Sequence, residues 1–173
     1  MINLPLVTAL FLVPMAHSTS TEVPDGARLT PGESCYAVEL NGRVVGATRQ
    51  TVRAALYNGR RAWRIEIHQQ LPDLQFDVRD TFLVDRSDLS AIRYESNRLA
   101  NVSIPAQEVR VDYGPTQIRG FKRVGEIRTD LDVSRDLPVW DGNLWGLTFA
   151  GMALYEGAEH TLPFWHYEKG EGE

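Results

Sequence analysis

"CYAVELNGRVVGATRQTVRAALYNGRRAWRIEIHQQL", residues 35–71, decides the fold class. In its first run Tyr36, Val38 and Leu40 alternate with Ala37 and Glu39. Alternation of period two puts the first set on one face of a strand. Asn41–Gly42 then interrupts the run, and Asn58–Gly59 interrupts the next. Asn-Gly is a strong signal for a two-residue hairpin, because both turn positions tolerate positive φ. In the third run Trp63, Ile65 and Ile67 alternate with Arg64, Glu66 and His68. Three antiparallel strands in succession are therefore expected, each with one apolar and one polar face.

Outward from this stretch the rhythm continues. "QFDVRDTFLVD" (75–85) reads as a fourth strand, with Phe76 and Val78 on one face before the alternation shifts to Phe82 and Val84. "SAIRYESNRL" (90–99) is a fifth. "EVRVDYG" (108–114) and "TQIRGFKR" (116–123) are a sixth and seventh, joined by a turn at Gly114–Pro115. "GEIRTDLDV" (125–133) is an eighth. Short polar turns between successive strands mean an antiparallel meander, not βαβ units. A sheet of that width twists, and one apolar face makes it curl around that face.

"LPVWDGNLWGLTFAGMAL", residues 137–154, breaks the rhythm. The expectation is one short helix over about 141–152, with Asp141 capping it and Pro138 ending the eighth strand. Leu144, Leu147 and Met152 fall on one face, and Trp145 and Phe149 on its neighbour. A short helix that is apolar on most sides is buried, so it is placed across the apolar concave face of the sheet. Gly146 and Gly151 would let it approach the strands closely. The fold class is thus mainly β: a curved antiparallel meander with one helix packed on its concave face.

Length and charge set further bounds. The chain has 173 residues and a net charge of −5, which suits one domain and disfavours nucleic acid as a partner. Residues 4–16, "LPLVTALFLVPMA", form an apolar run too short to span a bilayer. Ala16 and Ser18 fit the small-residue positions of a cleavage site. The run reads as a signal peptide over 1–18, followed by a linker over 19–33 and a single β-rich domain over 34–173. Export to the periplasm or beyond follows, with no transmembrane helix in the mature chain. Cys35 is the only cysteine, so it makes no internal disulfide; it reads as a small buried residue opening a strand.

The order of these pieces resembles a bacterial envelope family, domain of unknown function 3108. "CYAVELNGRVVGATRQTV" is similar to its opening hairpin, "FLVDRSDLSAIRYE" to its next landmark, and "VRVDYGPTQIRG" to a following strand and turn. "DGNLWGLTFAGMALYEGAEHTLPFW" resembles its helix, small apolar cluster and later strand. The family is similar in architecture to the LolA and LolB lipoprotein carriers. That likeness implies a lipid or other apolar ligand held between sheet and helix, and it implies no catalytic residues and no cofactor. The helix departs from the family in having Phe149 and Ala150 near the usual Arg. The chain also looks like the front portion of a longer domain. The sheet is then incomplete, with Leu162, Phe164 and His166 on a partly open apolar face and Trp165 pointing the other way.

Three functions follow from these signals. One is an exported, non-catalytic envelope protein whose ligand site is lined by Tyr36, Trp63, Trp140, Trp145, Phe149 and Met152. A second is a structural or assembly module with a packed core and no ligand, whose expected partner is an envelope protein. The third is a hydrolase or metalloprotein using Glu159, His160 and His166, whose irregular spacing is unlike the His pairs of zinc sites. The aspartates interspersed with arginines along the fourth strand read as surface ion pairs of small value.

Overall fold

The computed structural model describes residues 23–135 and 138–172; the signal-peptide reading lies outside them. Eight strands pair strictly in chain order, each antiparallel to its neighbour. They are β1 (Gly32–Leu40), β2 (Arg43–Tyr57), β3 (Arg60–Leu71), β4 (Phe76–Asp85), β5 (Ala91–Arg98), β6 (Gln107–Tyr113), β7 (Gln117–Val124) and β8 (Ile127–Ser134). The meander expected from the alternation is the observed sheet, and it stays open between β1 and β8. Both Asn-Gly turns carry positive φ at each residue, as that hairpin type requires.

Register fixes which side chains share a face. Val52, Ile65, Phe82, Tyr94 and Val111 stand directly opposite one another across β2 to β6. This row is the floor of the core, and all five are buried. β4 shows no shift of alternation: Phe76, Val78, Asp80, Phe82 and Val84 all share the concave parity, and Asp80 interrupts the apolar row rather than reversing it. The convex face carries a small satellite cluster of Ala62, Leu83 and Ile92 among charged residues.

The cover comes from the C-terminal quarter. β9 (Trp140–Asp141), the helix α1 (Trp145–Ala150), β10 (Phe164–His166) and β11 (Gly170–Gly172) follow the sheet. β10 runs parallel to β9 and antiparallel to β11, making a separate three-stranded sheet. The last apolar strand therefore does not extend the large sheet; it lies over its concave face. Trp165, not Phe164, points into the core: Trp165 is 2% exposed and meets Tyr113 edge-on at 5.9 Å. Leu162 is buried, while Phe164 is half-buried.

The helix is half the expected length. It spans six residues, preceded by Leu144 with no side-chain cap. Asp141 does not cap it, because Asp141 belongs to β9 and its carboxylate is engaged elsewhere. Gly146 faces open space, so it serves no close approach. A Cβ at Gly151 would come within 2.8 Å of Leu89 and 3.1 Å of Pro24, so the close contact is with the N-terminal segment and the β4–β5 loop, not with the strands. The domain begins before residue 34. Pro24, Gly26 and Leu29 are buried, Asp25 donates its amide to Gly151 O at 2.7 Å, and Arg28 bonds Met152 O at 2.7 Å. β8 ends at Ser134, four residues short of Pro138. Cys35 is exposed, not buried, since β1 is an edge strand with eight of its nine residues open to solvent.

Candidate functional site

The concave face has two halves. Toward one end the cover fills it. Trp63 is 1% exposed and donates its indole N–H to Gly26 O at 2.8 Å. Trp140 is buried and donates to Asp88 O at 2.9 Å. Met152 is buried against the same cluster. Three of the six expected ligand-lining residues are thus core, each fixed by packing or by a hydrogen bond to backbone. Satisfied indole N–H groups of this kind are what burial of Trp requires.

Toward the other end the cover stops short and leaves a groove of about 360 Å³ between sheet and helix. Tyr36 of β1 and Ile67 of β3 line one side; Leu144, Leu147 and Ala150 line the helix side; Gln50 and Asn143 supply polar atoms. Tyr36 is half exposed here, at 52%. Trp145 and Phe149 lie together, stacked at 5.5 Å with planes 17° apart, and Phe164 meets Trp145 edge-on at 4.6 Å. Trp145 is on the outer side of the cover, Phe149 packs against the edge of the core, and neither lines the groove. Of the six expected residues, the groove contains Tyr36 alone.

A buried polar chain stiffens the cover beside the groove. Tyr113 of β6 donates its hydroxyl to Asp141 Oδ2 at 2.5 Å. Asn143 donates its backbone N–H at 2.8 Å and its side-chain amide at 2.9 Å to Asp141 Oδ1. His166 Nε2 donates to Asn143 Oδ1 at 3.0 Å, and its Nδ1 accepts from Glu168 N at 3.1 Å. Burial pushes the Asp141 carboxyl above its ordinary 3.8, against the pull of the Tyr113 and Asn143 donors. Burial, then the neighbouring Asp141 charge, pushes the Tyr113 hydroxyl well above its usual range. A second acid, Asp80, is also pushed up by burial, while Tyr94 donates to it at 3.1 Å. Both acids hold strands together in the geometry seen.

The third expected group is not brought together. His160 Nε2 donates to Ala153 O at 3.2 Å, and His166 is committed to Asn143 and Glu168. Glu159 is exposed. Among the described residues no group of three or more His, Cys, Asp or Glu side chains is placed to hold a metal ion. No described helix is long and apolar enough to cross a membrane.

Sequence reasoning missed Gln50, Ile67, Asn143, Leu144, Leu147 and Ala150 as groove residues. Ile67, Leu144 and Leu147 carried a signal, the apolar parity of β3 and the apolar helix face; Gln50 and Asn143 are polar residues with none. A family model described as a protein of unknown function, DUF3108, matches residues 35–172. No curated protein and no solved structure matches the chain.

Proposed function

This chain belongs to the DUF3108 family, and from that premise we propose that it is an exported, non-catalytic envelope protein that receives a lipid chain or similar apolar ligand in the groove between β1–β3 and α1. The observation that carries this reading is the groove itself. Tyr36, Ile67, Leu144 and Leu147 present apolar surface to it, and only Gln50 and Asn143 interrupt them. Pockets of mainly apolar lining with a few polar groups are how proteins take small apolar ligands. The apolar run at 4–16 supports export, and the ligand class follows from the mainly apolar lining of the groove. The site is an open trough beside the core, not an enclosed chamber beneath the helix.

A second reading, an assembly module with a packed core, is favoured by one observation: Trp63, Trp140 and Met152 fill the space under the cover. Native mass spectrometry of gently purified protein separates the two. The ligand reading expects a lipid-sized adduct that is lost on delipidation and regained when phospholipid is supplied. A bare mass in both conditions supports the assembly module instead.

A further inference from the structure

The convex face holds a feature that the concave groove does not explain. Arg49 of β2, His68 of β3 and Arg79 of β4 stand directly opposite one another in register. This places two guanidiniums about 10 Å apart at their backbones, two inter-strand spacings, with an imidazole between them. Two guanidiniums on one face of the sheet favour an anionic partner. Arg53 adds a third guanidinium two residues beyond Thr51, whose parity it shares.

Compensation within the protein is thin. Among the described residues no carboxylate lies within 4 Å of Arg49 or Arg53. Arg79 has Asp77 at 3.7 Å, but that carboxylate is already taken by His68 at 2.9 Å and Gln70 at 2.8 Å. Glu66 is paired to Arg64 at 2.9 Å. Two lining carboxylates have no cation partner among the described residues: Glu33 at the β1 edge, and Asp80, which has the concave parity and accepts from the Tyr94 hydroxyl at 3.1 Å. The side chains enclose a groove of about 330 Å³, with Thr51 and Thr81 hydroxyls on its lining. In a chain of net charge −5, three guanidiniums share this lining with two unpaired carboxylates, one of them on the concave parity, which leaves a local excess of positive charge on the convex face.

We propose that this groove is an oxyanion site, in which Arg49, Arg53 and Arg79 converge on a phosphate-type group above Thr51. Guanidinium forks match the oxygens of phosphate in pairs, and charge-assisted hydrogen bonds of this kind are stronger than neutral ones. The threonine hydroxyls add neutral donors. The phosphate chemistry has two sources, a free anion or a phospholipid headgroup. The site lies on the opposite face of the sheet from the apolar groove, so neither depends on the other.

The test uses the full chain and the double variant R49Q/R79Q. Both positions are exposed, and far-ultraviolet circular dichroism checks that the fold is kept. Inorganic phosphate is titrated by isothermal calorimetry at constant ionic strength, and vesicles with and without phosphatidylglycerol are sedimented with the protein. Saturable phosphate binding that weakens at least tenfold in R49Q/R79Q supports a site for a free anion. Sedimentation that requires phosphatidylglycerol and is lost in the variant supports the headgroup source. No saturable response to phosphate and no vesicle binding, or equal binding by the variant, overturns the proposal.

Discussion

Asp141 is a carboxylate that water scarcely reaches, 4% exposed, and it survives there because three donors converge on it. Removing one of them isolates its effect. Tyr113→Phe leaves Oδ2 without its donor, and a lost hydrogen bond to a buried charge costs about 1.5–3 kcal/mol. The pH dependence has a definite sign. The folded carboxyl sits above its ordinary 3.8 because burial penalises the ion. The folded state therefore holds this proton more tightly than the unfolded chain does. Stability from the group is fully present below 3.8 and is lost as pH rises through the higher folded value. Tyr113→Phe removes a donor to the ionised form and raises that value further, so its cost is larger where Asp141 is ionised and shrinks as pH falls and Asp141 protonates. Urea melts of wild type and variant at pH 7 and pH 4 check this. A cost independent of pH would mean the hydroxyl stabilises by packing alone. The sequence offered no route to this pair. "DGNL" has the local chemistry of a helix cap, whereas the partner that claims the carboxylate is a tyrosine 28 residues earlier.

At the scale of elements, the cover divides into a buried and an outward side, and two tryptophans report on them. Trp165 fills the core, so Trp165→Ala should cost about 3–5 kcal/mol. Trp145 is 39% exposed and contributes chiefly through its aromatic pairs, so Trp145→Ala should cost about 1 kcal/mol. Chemical denaturation of both variants tests the assignment, and equal losses would contradict it. The expected order from sequence was the reverse, with Phe164 inward and Trp165 outward. That error has a physical origin. β10 is only three residues long, too short for alternation to show which parity is buried. One of its two neighbours in the sheet, β9, is 24 residues away, and that pairing leaves no local signature. The eight long strands were legible for the opposite reason: each pairs with its sequence neighbour, and the hairpin turns fix register locally.

The whole molecule is an open sheet held by a cover that grips its middle. β2 to β6 carry the buried row, whereas β1 and β8 are edges exposed along most of their length. Elements with few buried contacts open first, so backbone amides of β1 and β8 should exchange with solvent well before those of β4 and β5. Hydrogen exchange measured by mass spectrometry checks the order, and uniform protection across the sheet would contradict it. Close approach of strands sets another limit. A Cβ on Gly120 would fall 1.9 Å from Arg110 O, so Gly120→Ala should destabilise the fold by about 1–3 kcal/mol. A variant melting with wild type in a thermal scan would refute that constraint. Curvature of this sort is visible in a sequence as an isolated strand glycine, but which backbone it approaches is not.

The placement of the ligand in the trough beside α1 is tested most directly by titrating a fluorescent fatty-acid probe into wild type and Leu147→Glu. Leu147 lines the groove, half-buried at the edge of the core cluster, so a carboxylate there puts charge against any apolar chain, and the melt of the variant checks that the core is kept. Wild type should bind the probe saturably at one equivalent, and the variant should bind at least tenfold more weakly while keeping a cooperative melt. Saturable binding that is unchanged in Leu147→Glu would place the ligand elsewhere, and no saturable binding to wild type would contradict the account outright.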